Sequence, residues 1–152
     1  MNTLPALFAE LETRIPQIEK LNTSISKASV GWHIQHSVLV ASQIIKALEK
    51  SNPKEYSPKF NLAKTIVFTL KKIPRGKAKA PEVALPKEIA DAGGLKESIR
   101  SLIDTLPVLN TLQPNNYFMH PFFGHLNLKA TITMLKIHTK HHLEIINDII
   151  KH

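Results

Sequence analysis

The chain contains no cysteine. That absence excludes a disulfide framework, a thiolate zinc site and a cysteine nucleophile, and it fits a reducing compartment. No apolar run approaches the roughly 18 residues that a membrane-spanning helix needs. The opening Met1-Asn2-Thr3-Leu4-Pro5 lacks the charged start and apolar block of a secretory signal. A soluble, cytoplasmic protein with no membrane partner is the expectation. Strand-like alternation, internal repeats and low-complexity tails are missing too, and no serine, histidine and acid series offers a nucleophile.

Acidic residues are scarce. Twelve Asp and Glu face twenty Lys and Arg, for a formal charge of +8. Such a balance invites a nucleic-acid reading, since phosphate neutralisation dominates that kind of binding. The charge is mostly lysine, however, and no aromatic-rich basic strand or zinc-finger spacing accompanies it. A solvated lysine-rich surface is favoured and no nucleic-acid partner is expected.

What the chain does have is helical periodicity. Its 152 residues suit one domain, 1–152, large enough for a real core. Leu4 to Leu21 reads as a first helix that Pro16 kinks or breaks, and about Val30 to Lys50 as a second. Phe60 to Ile73 forms a shorter third, stopped by Pro74. The breaker-rich basic stretch Lys71 to Pro81 reads as a loop. One helical turn is expected over Pro86 to Ala92, interrupted by Gly93-Gly94. Leu95 to Leu112 follows, bent near Pro107, then a loop from Gln113 to Gly124 and a final helix from Leu126 to Ile150. The expected fold is all-α, a four-helix bundle with the Phe60 helix and its basic loop inserted.

The final helix carries the sharpest signal. Steps of three and four give Leu128, Thr131, Leu135, His138, His142, Ile145 and Ile149, the inward stripe of an amphipathic helix. Two histidines therefore stand one turn apart at core positions. Neutral imidazoles there need hydrogen-bond partners, and charged ones are costly to bury. A shared metal ion satisfies both rings. His36 supplies a third ligand, because Trp32, His36, Val40, Ile44 and Ala47 share one face of the second helix. His33 lies about 60° from His36, so only one of the two points fully inward. Three imidazoles leave open positions for water or substrate, and such nitrogen sites suit zinc, nickel or iron. Set against this, eight histidines place some on apolar faces by chance, and no glutamate stands between His138 and His142 as in protease helices.

Trp32-His33-Ile34-Gln35-His36 resembles the tryptophan-to-histidine motif of the DinB/YfiT-like superfamily, in the form seen in ergothioneine-forming sulfoxide synthases. His138-Thr139-Lys140-His141-His142 is similar to that superfamily's His-x-x-His-His signature. His120-Pro121-Phe122-Phe123-Gly124 resembles a segment of a small bacterial DinB-like subfamily. The resemblance implies a four-helix bundle holding a divalent metal on His36, His138 and His142. It further implies chemistry such as that of thiol-dependent isomerases and transferases, or of sulfoxide synthases. The second domain of those larger enzymes has no counterpart in these residues, so their substrate-binding residues are not carried over.

His141 flanks the ligand face, as a pocket acid or base or in a surface or hydrogen-bonding role. His120 either fixes the loop before the last helix or lies over the open coordination position. These two are the candidate catalytic residues. His125, His33 and His152 read as structural or exposed. Tyr117, Phe118, Phe122 and Phe123 read as a core plug, and Arg75, Lys77 and Lys79 as a solvated run or a receptor for an anionic substrate. The functional expectation is a metal-dependent transferase or hydrolase acting on a small molecule, with a low-molecular-weight thiol as a second cofactor and a homodimer as the assembly. The alternative is a non-catalytic, metal-binding or stress-related bundle, with a basic nucleic-acid binder behind it.

Overall fold

In the computed structural model, which describes residues 3–76 and 80–151, each helix starts at a capping side chain. Thr3 caps α1 (Leu4–Glu12), Ser29 caps α2 (Val30–Lys50) and Asn61 caps α3 (Leu62–Leu70). Asp91 caps α4 (Ala92–Thr105), and Asn127 Oδ1 accepts from the Ala130 amide in the first turn of α5 (Leu128–Lys151). Each of these oxygens satisfies a backbone N–H that the helix itself leaves without a partner.

Pro16 breaks the first helix, as its ring requires. The chain leaves α1 at Glu12 and makes a separate 3-10 turn at Ile15–Gln17. The carbonyls of Ile18 and Lys20 then accept from the Gly31 and Val30 amides, which seats the start of α2. Gly31 lets the segments approach closely there. A Cβ would stand 3.1 Å from a methyl of Ile89 and 3.2 Å from the Ile18 carbonyl.

The expected turn over Pro86 to Ala92 does not form. A 3-10 turn occupies Glu82–Ala84 instead. Gly93 and Gly94 do not interrupt helix but open α4, because Asp91 Oδ1 accepts from the Gly94 amide at 2.8 Å. That cap outweighs the low helical propensity of the two glycines. After α4, Pro107 tightens the chain into a 3-10 segment, Leu106–Asn110.

An all-α description misses one element. Tyr117–His120 (β1) and Gly124–Asn127 (β2) pair antiparallel, with Tyr117 opposite Asn127 and His120 opposite Gly124. Three residues, Pro121 to Phe123, connect them, and Gly124 follows at φ +68°, the left-handed conformation such loops place at their end. His120 Nδ1 accepts from the amides of Phe122 and Phe123 and locks the turn. The protein is thus mostly helical, with five α-helices and one small hairpin among its described residues.

Helices α1 and α2 each pack against both α4 and α5, so these four surround one core. Phe8, Leu11, Ile34, Ile45, Leu95, Ile99, Leu135 and Ile146 fill it. The core face of α2 is Ile34, Ala41, Ile45 and Leu48. The stripe through Trp32, His36, Val40 and Ile44 instead walls a cavity. Helix α3 lies outside this core against α5 and buries only Val67 fully. No helix of the described residues is long and apolar enough to cross a membrane.

Candidate metal centre

Helices α2 and α5 face each other, and their histidines meet between them. His36, His138 and His142 each offer a ring nitrogen, and these three atoms lie within 4.8 Å of one another. Imidazoles hold a divalent ion at about 2.0–2.1 Å, so three donors this close are a candidate set for one shared ion. His36 and His142 are buried. His138 keeps some accessible surface, but that surface lines the cavity, and its Nδ1 is fully enclosed with no hydrogen-bond partner among the described residues.

The surroundings of the three rings fit metal ligation. His36 Nδ1 stands 2.6 Å from the Ala84 carbonyl, which can only accept, so Nδ1 carries the proton and Nε2 keeps a free lone pair. Trp32 stacks on the same ring, 4.8 Å between centroids and 9° from parallel. A carbonyl behind the ring and a plane against it hold the imidazole as outer partners hold metal-binding histidines. His142 Nδ1 lies 2.9 Å from His33 Nδ1, and His33 Nε2 lies 3.0 Å from Ser26 Oγ. If His142 donates to His33 and His33 to Ser26, then His142 Nε2 also keeps its lone pair. The orphaned His138 nitrogen marks a polar atom that the protein alone leaves unsatisfied.

Electrostatics keep the group uncharged. Burial, reinforced by neighbouring imidazoles, pushes His138 down to about 3 and holds His142 well below the usual histidine range. Burial also lowers His36, partly opposed by its bond to Ala84, and takes His33 to about 4. At neutral pH these rings are neutral, the form a metal requires.

His33 corrects the sequence reading. It is 4% exposed, as buried as His36, and both point into the protein. α2 is covered on two sides, so neighbouring stripes can both face inward. Ser37, one turn later, is buried as well and donates its hydroxyl to the His33 carbonyl. The second apolar stripe through Ile34, Val38 and Ala41 was the available signal.

The cavity above the histidines measures about 500 Å³. Val40, Ile44, Val67, Ile73, Met134 and Phe118 give it apolar walls, with the histidines at its polar end. His141 and His120 both line it. Burial, aided by Arg75, lowers His141, and burial takes His120 to about 4. Because His120 Nδ1 accepts two amide protons, the proton of its neutral ring resides on Nε2. Phe123, stacked on His120 at 4.2 Å, is buried, whereas Phe122 remains 51% exposed, so the aromatic plug is only partial. His125 is structural. It stacks on Tyr117, and its Nδ1 accepts from the Ser57 amide. Arg75 pairs with Asp148 at 2.9 Å; Lys77, Lys79 and His152 lie outside the described residues. A further hollow of about 520 Å³ runs along α4 past Lys96, Glu97 and Arg100, a solvent-open surface far simpler in chemistry.

No family model matches the chain, and no curated protein or solved structure matches it.

Proposed function

We propose that this chain is a small metal-dependent enzyme of the DinB/YfiT-like type, a single-domain four-helix bundle whose divalent metal is held by His36, His138 and His142. The observation that carries the reading is the convergence of three neutral imidazoles at the polar end of an apolar cavity. The tryptophan-to-histidine and His-x-x-His-His motifs add support, since they place the same three residues at the family's ligand positions. When bound there, a divalent ion supplies Lewis acidity that makes a water or thiol acidic enough to act as a nucleophile near neutral pH.

The other groups have distinct tasks. The Ala84 carbonyl and Trp32 orient His36, while His33 and Ser26 orient His142. His141 is neutral at pH 7 and lines the cavity, so it can take a proton from a nucleophile. His120 offers an Nε2–H and serves as a hydrogen-bond donor to substrate rather than as a base. The apolar walls bind a largely hydrophobic small molecule and limit access of water. Transfer of a thiol, or hydrolysis of a small substrate, is the reaction class that suits these parts.

The test is a metal analysis of protein purified without a histidine tag, followed by cobalt substitution. A small thiol should change the visible spectrum of the cobalt-loaded protein, and His142→Ala should abolish both metal retention and that response. Metal-dependent transfer of the thiol to an electrophile, lost on chelation, would establish an enzyme. Wild-type protein that binds no divalent ion would end the proposal.

A further inference from the structure

Helix α3 carries its apolar residues on the wrong side for a core helix. Val67 and Phe68 face the protein, yet Leu62, Ile66 and Leu70 form a stripe on the opposite face, one turn apart. They are 62%, 48% and 67% exposed, and Phe60, just before the cap, is 85% exposed. Scattered exposed apolar residues need no explanation, but a continuous stripe of this kind marks a contact surface. It also continues onto the hairpin. Asn61 Nδ2 donates to the Phe122 carbonyl at 2.8 Å, which brings the half-exposed Phe122 beside the start of α3.

The charge of the same segment is equally lopsided. Between Tyr56 and Pro81 there are seven basic residues and no acidic one, so this stretch carries nearly all of the chain's +8. Lys59 precedes the helix, and Lys71 and Lys72 follow it. None of the three forms an ion pair with a described residue, whereas Arg75 is engaged by Asp148. An apolar helix face bracketed by free lysines matches a segment lying in the plane of a bilayer, its apolar side in the acyl boundary and its lysines at the headgroups.

We propose that α3 and its flanking lysines dock the protein peripherally on an anionic lipid surface. The charge selects this occupant over a second copy of the chain, because two such segments face to face repel each other. The apolar stripe selects lipid over nucleic acid, which has no use for the exposed Leu62, Ile66 and Leu70. Val67 and Ile73 of this segment line the cavity, so docking sets the cavity beside the membrane. The proposal is independent of the metal and of any catalysis.

Co-sedimentation of the full chain with vesicles tests it. Equimolar phosphatidylcholine and phosphatidylglycerol should pellet the protein, phosphatidylcholine alone should not, and salt should weaken the association. Leu62→Ser/Ile66→Ser/Leu70→Ser should abolish binding while circular dichroism shows the helical content unchanged. Lys71→Gln/Lys72→Gln, which leaves the apolar stripe intact, should weaken partitioning roughly thirtyfold. Absence of binding to the anionic vesicles would overturn the proposal. So would binding that survives both variants, or a concentration-dependent dimer that the apolar variant dissolves without any vesicle association. Capture on nucleic acid that needs the lysines but not the stripe, with no vesicle binding, would overturn it equally.

Discussion

His33 and His142 meet nitrogen to nitrogen at 2.9 Å, across 109 residues of sequence. His33 thereby becomes the residue that decides which nitrogen of His142 is left for a metal. Replacing His33 by Ala should weaken divalent-metal affinity about 10–100-fold, the usual effect of losing an outer partner of a ligand. Ser26→Ala, one step further out, should cost less. Titration of the metal-free protein with zinc, read by competition with a chromophoric chelator, gives the comparison. Equal affinity in wild type and His33→Ala would show that the contact positions nothing.

His138 should display a trade between stability and binding. Its enclosed Nδ1 has no hydrogen-bond partner among the described residues, and a buried polar atom left so costs up to about 1–3 kcal/mol. His138→Leu should therefore raise the melting temperature in the presence of a chelator and eliminate metal binding. His141→Ala, by contrast, should retain the metal, because the pair one helical turn apart is intact. Release of metal by the His141 change but not by His142→Ala would refute the ligand assignment.

Stability of the metal-free protein should fall in mild acid. His33 titrates at about 4 and His138 at about 3 in the folded state, against 6.5 for the unperturbed ring. Lowered values mean that the unfolded chain takes up protons the native state refuses. The contribution is complete above 6.5 and is lost as pH falls from there toward 4 and then 3. Each pH unit inside that window removes about 1.4 kcal/mol per histidine. Urea midpoints measured at about pH 7.5 and about pH 5 should differ accordingly, and identical midpoints would contradict the burial of these rings.

Asn116 should prove an unexpectedly costly residue to lose. It is 5% exposed, its amide nitrogen donates to the carbonyls of Leu48 and Ser51, and its oxygen accepts from the Gln113 amide. These bonds close the end of α2 and anchor the hairpin beside it. Asn116→Ala strands several of these groups and should destabilise by about 1–3 kcal/mol. At about 2–4 °C per kcal/mol for a chain of this size, differential scanning calorimetry resolves the change. An unchanged melting temperature would mean that the loop reseats itself.

Where a strong local rule acted alone, the fold was legible. The spacing of α2 predicts about Val30 to Lys50, and α2 has those bounds. Pro16 and Pro107 broke the helices they occupy. Competing local rules were harder to rank. Lys71 ends α3 in a left-handed conformation, φ 52°, three residues ahead of Pro74, although lysine gives no cue for it. The hairpin is not legible in the sequence because each strand has four residues, too few for alternation to show. Its real signature lies in the turn, where His120 accepts two amides and Gly124 follows four residues after it. At the candidate site, the inward stripe of α5 located His138 and His142, and the Trp32 stripe located His36. His33 stayed hidden because a single-stripe view cannot represent a helix covered on two sides.

The placement of the site across α2 and α5 has a consequence for how the protein is made. All its candidate ligands on α5 are synthesised long after His36, with α3, α4 and the hairpin emerging between them. Until α5 docks on α2, a nascent chain can present His36 but no closed set of donors. Joining such distant segments is slow relative to local helix formation, because the intervening chain must first be ordered. Under the proposed function, metal capture would therefore report completion of folding, and an ion that rewards only the finished arrangement would protect the last step from reversal.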